Sequence, residues 1–438
     1  MESILDVGDR LELFVDQQLI DTLENVELCL HEPRPLPLAE SPLPIMYSTV
    51  IKEENLFRAY YRDSRPGYDG PRHDGNDGEI CCYAESRDGH EWTFPDLDVV
   101  DVPSSRGRNA VLAEPPFCHD LSPFLDDRPH VPGDQRYKAL SGVQPGGLFA
   151  FASPDGIRWR KMQETPVITV EGSAFDSQNV SFWSSVEGCY VAYYRTWSTP
   201  HGRLRTISRS TSDDYVHWTE AAPMNPNLPG EHLYTSNTHP YFRAPHIYLA
   251  LPTRFMPDRG QSTDILFMAT RAGSESYERL FTEALIRPGL DPARWGNRSN
   301  YVALNVVPTG AAEMSIYHKN GHRYVLRIDG FVSVRSGTAP GEMVTVPLTF
   351  EGSTLVVNTS TSAAGGLQVE IQDADGEPVP GFALEDCPAI VGDSIEQIVR
   401  WEGNPNLETL AGRPVRLRFV MNECDLYSLQ FQREGSTQ

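Results

Sequence analysis

Short runs rich in Val, Ile, Tyr and Phe, separated by Gly- and Pro-containing turns, recur along the chain and predict strands. Three turns repeat: Ser86-Arg87-Asp88-Gly89-His90-Glu91-Trp92, Ser153-Pro154-Asp155-Gly156-Ile157-Arg158-Trp159 and Ser212-Asp213-Asp214-Tyr215-Val216-His217-Trp218. Each follows a β-like run, at residues 80–84, 148–152 and 204–209, and ends in a Trp that opens another run, as an Asp-Gly-type hairpin does. Repetition at roughly sixty residues predicts four-stranded blades. The other two strands of each blade lie upstream, at 47–51 with 57–62, 111–114 with 137–143, and 179–183 with 190–195. Residues 238–242 with 247–251 make a fourth unit, in which 272–277 replaces the hairpin turn and 291–295 is its degenerate echo; 313–318 with 323–328 make a fifth.

After about Gly330 the pattern changes to alternating runs at 343–348, 354–358, 367–371 and 415–420, with Asp373-Ala374-Asp375-Gly376 as a turn. The fold expected is all-β, a five-bladed β-propeller over residues 1–335 followed by a C-terminal β-sandwich over 336–438. The N-terminal strand at 11–15 is expected to pair with the last blade and close the ring, removing two open edges.

A chain of 438 residues can bury the cores of two such domains without staples. Asp and Glu outnumber Lys and Arg by 60 to 37, and the net charge of −23 argues against a nucleic-acid backbone or an anionic membrane as partner. A neutral substrate is easier to accept. The seven cysteines (Cys29, Cys81, Cys82, Cys118, Cys189, Cys387, Cys424) form no CxxC pair and no zinc spacing, so free thiols in a reducing compartment are expected. The opening Met1-Glu2-Ser3-Ile4-Leu5-Asp6 has no signal-peptide pattern, and no run approaches the ~18 apolar residues of a membrane span. A cytoplasmic location follows, or a periplasmic or secreted one if an export signal preceded this sequence.

In a propeller the innermost strand of each blade lines the axis, and its start lies beside the end of the second strand. The strand starts carry Glu114, Asp176, Gln178, Asn179, Asn237, His239 and Glu313; the strand ends carry Arg62, Asp63, Arg195 and Arg254. These residues are expected to meet at one mouth. The plain alternative for each acid is an ion pair with one of the arginines or a cap on backbone donors. His239 is open between substrate contact, a structural cation and the core. Trp197, at a strand end, is the candidate sugar-stacking platform. No metal site follows from spacing; the oxygen-rich run His73–Glu79 lacks the EF-hand pattern and reads first as a solvated turn, second as a structural calcium or other divalent-cation loop.

The five-unit layout, the Ser-x-Asp-Gly-x-x-Trp-like turns and the trailing sandwich resemble the five-bladed β-propeller glycoside hydrolases, the broad group of invertases, arabinanases and xylosidases. The segments Leu13-Phe14-Val15-Asp16-Gln17-Gln18-Leu19-Ile20, Phe175-Asp176-Ser177-Gln178-Asn179-Val180 and Phe382-Ala383-Leu384-Glu385-Asp386-Cys387 are similar to an uncharacterised bacterial subgroup of them. The resemblance implies cleavage of a glycosidic bond in an oligo- or polysaccharide, three carboxylates from separate blades, and no required cofactor. The Trp-Met-Asn-Asp-Pro and Arg-Asp-Pro signatures of the invertases are absent, so the acids match by position only.

Glycoside cleavage needs one carboxyl kept protonated for the leaving oxygen and one ionised to attack the anomeric carbon or activate water. The expected pair is Asp176, as base or nucleophile, and Glu313, as acid, with Glu114 or Asp63 third. Arg62, Gln178, Asn179, Arg195, Trp197, Asn237, His239 and Arg254 are the expected substrate contacts. The insertion at 117–136 is expected to close the funnel as a lid and favour cutting from a chain end. Two other functions fit the same residues: a phosphorylase holding inorganic phosphate on Arg195, Arg254 and His239, and a non-catalytic glycan-binding propeller. The partner expected is a carbohydrate, with the oligomeric state left open.

Overall fold

The computed structural model describes residues 4–403 and 405–433, so the outer ends of the two expected domains, at 1 and 438, lie outside the described residues. Ordered elements are strands apart from four short 3-10 turns, and the chain is all-β. It divides into two units, Pro33–Val325 and the residues up to Glu32 together with those from Leu326 onward.

Within Pro33–Val325 lie four four-stranded sheets and two three-stranded ones. The first sheet runs Thr49–Glu53, Leu56–Ser64, Glu79–Ser86, Ala110–Leu112, and the second Ser122–Leu125, Tyr137–Ser141, Phe149–Ser153, Arg160–Lys161. The third is Val180–Ser184, Cys189–Thr199, Gly202–Ser212, Ala222–Pro223, and the fourth His239–Tyr241, Ala244–Ala250, Met268–Arg271. The fifth is Val307–Pro308, Glu313–Tyr317, Arg323–Arg327, closed by Arg34–Pro35. A small sheet of His232–Leu233, Thr253–Met256 and Ser262–Ile265 is inserted around the fourth.

The repeated turns are built alike. Gly89, Gly156 and Tyr215 hold φ of 67°, 75° and 70°, and the preceding Asp accepts two backbone N–H bonds, from His90 and Glu91 at 2.8 and 3.0 Å in the first copy and from Val216 and His217 at 2.8 Å in the third. A side chain at Gly156 would meet the Tyr60 hydroxyl at 2.4 Å, so only Gly fits there. The Trp residues pack across sheets: Trp159 lies edge-on to Tyr60 of the first sheet, and Trp92 to Tyr317 of the fifth, at 6.1 and 5.6 Å between ring centroids.

Four expectations need correction. Residues 111–114 do not open the second sheet: Ala110–Leu112 is the outer strand of the first, paired with Glu79–Ser86. The inner strand of the second sheet is Ser122–Leu125, inside the segment expected to be a lid, and Pro123 in a four-residue strand hid it. In the fifth sheet Val307–Pro308 precedes Glu313–Tyr317, which is therefore a second strand. Finally, the N-terminal strand Leu11–Leu13 pairs with Val415–Gln432, so residues up to 32 belong with the C-terminal unit and the domain boundaries at 335 and 336 do not hold; Arg34–Pro35, against Tyr324 and Val325, completes the fifth sheet instead.

The inner strands neighbour one another in order. Thr49–Glu53 lies beside both Ser122–Leu125 and Val307–Pro308, and Val180–Ser184 beside both Ser122–Leu125 and His239–Tyr241. Thr49 and Leu304 form a parallel bridge, so these approaches run the same way. The Val306 N–H donates to His239 Nε2 at 3.1 Å, linking the fourth and fifth. A cavity of about 370 Å³ is lined by residues of all five, including Val50, Phe124, Phe182, Pro240 and Val307.

The other unit is a ten-stranded sheet dominated by Thr354–Asp373 and Val415–Gln432, which pair along most of their length. Its core includes stacked Phe350 and Phe431 and the buried Trp401, whose indole N–H donates to the Val369 carbonyl at 2.9 Å.

Candidate active site

Asp176 sits four residues before the third inner strand, on a turn tightened by Ser177 N–H to Phe175 O at 2.7 Å and tied to the second strand by Phe175 N–H to Arg195 O at 3.1 Å. Phe175 holds φ of 63°, a backbone that costs a bulky residue energy and is kept by this network. Three side chains staple the turn: Asn179 donates to the Phe175 and Ser177 carbonyls at 3.0 and 2.9 Å and to Asp120, Gln178 reaches the Ser48 carbonyl at 2.9 Å, and Ser177 bonds the Tyr234 carbonyl. Gln178 and Asn179 are thus wall, buried against backbone, and not substrate contacts. Asp120 is buried too, and burial pushes its carboxyl up to about 7 against the pull of His119 and its hydrogen bonds.

The Asp176 carboxylate accepts from Arg195 and lies 3.7 Å from Nε2 of His119. Asp74, from the turn between the second and third strands of the first sheet, brings a carboxyl oxygen to 3.9 Å from the same Nε2. The ligand atoms of Asp74, His119 and Asp176 all lie within 4.8 Å of one another. On its other side His119 meets Glu79 at 2.8 Å through Nδ1, and Arg62 approaches the ring at 2.6 Å. Tyr47, with φ of 49° two residues before the first inner strand, packs edge-on to His119 and beneath the Arg62 guanidinium, 4.7 Å from its ring centroid.

These contacts split the two acids. Burial raises the Asp176 carboxyl, but the neighbouring His119, the Arg195 charge and Asp74 outweigh it, and the group stays well below the usual carboxylate range. For Asp74, burial and the neighbouring Asp176 charge both raise it. His119 is opposed by burial yet lifted to about 9 by Asp176 and Glu79, while the Gly75 N–H and Arg62 also face its Nδ1. The result is an ionised Asp176 paired with Arg195, beside a carboxyl that keeps its proton longer. Asp74, His119 and Asp176 are also the one set that could hold a metal ion among the described residues. Of the run His73–Glu79 only Asp74 contributes to it.

Other expected residues are elsewhere. Glu313 stands at the turn between the first and second strands of its sheet, its oxygen 3.7 Å from Arg323 and near Thr309. That is the far end of the inner strand from the one Asp176 approaches, so the expected pair does not meet. Glu114, just past the outer strand of the first sheet, pairs with Lys161. Asp63 lines the same cleft as Arg62 and Asp74, of about 590 Å³, but accepts from Ser64 N–H and from both Ser105 donors. His239 is buried and bonded through both nitrogens to the backbone of Asn237 and Val306, its pKa lowered to about 4 by burial. Asn237 donates to the Val302 carbonyl. Arg254 is bidentate to Asp264 in the inserted sheet, at 2.8 and 2.6 Å, so the expected phosphate trio does not assemble. Trp197 is faced by Arg205, 4.3 Å from its ring centroid, and by Arg203 at 5.1 Å.

Sequence reasoning missed Asp74, His119, Tyr47, Arg205 and Arg298. His119-Asp120 precedes an inner strand as Asp176 does, and placing that strand at Ser122–Leu125 would have found it.

No known family matches the sequence, and no curated protein matches it. Among solved structures the chain is similar to a glycoside hydrolase family 43 arabinoxylan arabinofuranohydrolase from Bacillus subtilis, in complex with cellotetraose, at 13% identity and TM-score 0.43 over 91% of this chain and 97% of that one. It is similar to an N-acetylgalactosamine deacetylase from F. plautii, in complex with blood group B trisaccharide, at 11% identity and TM-score 0.45 over 91% and 95%. An endo-arabinase from Bacteroides thetaiotaomicron aligns at 8% identity and TM-score 0.41 over 67% and 97%. At this distance the roles of residues rest on the site's own geometry.

Proposed function

We propose that the protein is a glycoside hydrolase in which the five sheets are blades of a β-propeller, the second unit is a β-sandwich, and the bond is cut at the mouth holding Asp74 and Asp176. The cyclic order of the inner strands and the cavity among them support the propeller. Leu367, Val369 and Ile371 share one face of a long strand and are fully buried, which supports a second layer covering that face.

The carrying observation is two neighbouring carboxyls in unlike settings, Asp176 ion-paired to Arg195 and held low, Asp74 raised by burial and by the Asp176 charge. Asp74 donates its proton to the glycosidic oxygen as the bond to the anomeric carbon breaks. Asp176 attacks that carbon and forms a glycosyl ester. Asp74, now ionised, takes a proton from water, whose oxygen displaces Asp176 and restores both groups. A carboxylate held so far below neutrality is a poor base but a good electrostatic partner and leaving group, which favours Asp176 as nucleophile.

The test is a screen of oligosaccharides with and without phosphate. Phosphate-independent cleavage that Asp176→Asn abolishes is expected. Phosphate-dependent cleavage, binding without turnover throughout the panel, or turnover indifferent to Asp176→Asn rejects the proposal.

A further inference from the structure

Around the two acids the cleft gathers cations. Arg62, Arg195, Arg205, Arg298 and Lys319 come from the first, third and fifth sheets and their approaches, and they act on the same few groups. Arg298 and Arg62 both lower Lys319, and Arg195 lowers Arg205, each after the larger effect of burial. The carboxyls beside them are Asp63, Asp74, Glu79 and Asp176, four against five cations. Positive charge is therefore in surplus here, in a chain whose net charge is −23. A local field of that sign against the molecule's own is a feature built for a negative ligand.

Two of the guanidiniums are incompletely bonded. The Arg195 side chain is 3% exposed and spends one nitrogen on Asp176, while its Nε and Nη1 are sealed from solvent with no partner. Arg205 lies against the rings of Trp197 and Tyr234, at 4.3 and 4.7 Å, and its Nε is likewise buried without a partner. Buried donors on a charged group are costly to leave unmade, and two desolvated like charges repel. One anion between them removes both costs, and the planar fork of Arg suits a two-oxygen anion.

We propose that the sugar received by this cleft bears an anionic substituent, a carboxylate or a sulfate, held by Arg195 and Arg205. The inference rests on the carbohydrate reading of the same site and names its substrate class.

Calorimetric titration of the intact protein tests it without catalysis. The probes are a hexose, the corresponding uronate, the 6-sulfated hexose, and inorganic sulfate and phosphate. The uronate or the sulfated sugar is expected to bind at least about tenfold more tightly than the neutral hexose, with the advantage shrinking as salt is raised; comparison of those two arms identifies the anion. Arg205→Gln, verified as folded by circular dichroism, is expected to cut that advantage, read as the ratio of acidic- to neutral-sugar affinity, about tenfold. In the wild type, inorganic sulfate is expected to compete with the acidic sugar. Equal binding of neutral and acidic sugars, or an advantage indifferent to both Arg205→Gln and competing sulfate, overturns the proposal. So does phosphate binding coupled to phosphate-dependent cleavage, which would make the anion a co-substrate. Selective binding of acidic sugars with no cleavage of their glycosides supports this inference while sinking the hydrolase reading; cleavage of neutral glycosides without preference for acidic ones does the reverse.

Discussion

Asp74 and Asp176 bring carboxyl oxygens within 4.8 Å of each other although one comes from a turn of the first sheet and the other from the approach to the third. Each alters the other: the ionised Asp176 keeps the proton on Asp74, and that proton helps Asp176 remain ionised. Asp74→Asn is therefore expected to cut kcat by about a hundredfold or more on natural glycosides, whose leaving groups need protonation. Glycosides with a strongly acidic leaving group should be spared in the first step, and steady-state comparison of the two substrate types checks this. Loss of the same size on both would remove Asp74 from the acid role.

Protonated Asp74 also sets the basic limb of the pH profile. Because burial and Asp176 raise its carboxyl, kcat/KM is expected to stay high to a pH above the ordinary carboxyl range and then fall. Asp176→Asn removes the charge that raises Asp74, so in its residual activity the limb should move to lower pH. A limb unmoved by that substitution would assign it to another group.

Stability should show the other side of this electrostatics. His119, raised to about 9, contributes stability that is fully present below its unfolded value of ~6.5 and lost as pH rises through about 9. Asp176, depressed, contributes stability present above ~3.9 and lost as pH falls below it. Melting temperature is thus expected to decline between pH 6.5 and 9, and His119→Gln to flatten that decline while lowering the melting temperature near pH 6. An unchanged slope in His119→Gln would show that His119 is not the titrating group.

The turns were legible in the sequence because their chemistry is local: Asp88, Asp155 and Asp214 each cap their own hairpins, and a following Trp marks the next strand. Asp176 was legible because five residues, Phe-Asp-Ser-Gln-Asn, place polar groups ahead of an apolar run. Its neighbours in that run, Gln178 and Asn179, looked equally functional, and only the fold reveals that they hold backbone. Inner strands of two to four residues, such as Val307–Pro308 and Ser122–Leu125, carry too little periodicity to be seen. Missing them displaced Glu114 to a strand start it does not occupy and put Glu313 at the wrong end of its sheet. Asp74 read as one oxygen among many in a polar turn, since its importance depends on long-range contact with Asp176.

That distinction predicts opposite behaviour for two groups of substitutions. Glu313→Gln and Glu114→Gln, which touch partly exposed ion pairs with Arg323 and Lys161, should leave activity within about twofold and stability within about 1 kcal/mol. Asn179→Ala, which removes three hydrogen bonds from the Asp176 turn, should cost on the order of 2–4 kcal/mol of stability and reduce kcat. A substrate-binding role would instead raise KM and leave chemical denaturation unchanged.

The most direct test of the central claim is covalent trapping. Activated 2-deoxy-2-fluoro glycosides, neutral and acidic, would be incubated with the enzyme, and the digest analysed by mass spectrometry. The account predicts a glycosyl ester on the peptide containing Asp176, with product released in the anomeric configuration of the substrate. A label on any other carboxylate, or hydrolysis with inverted configuration, would contradict it.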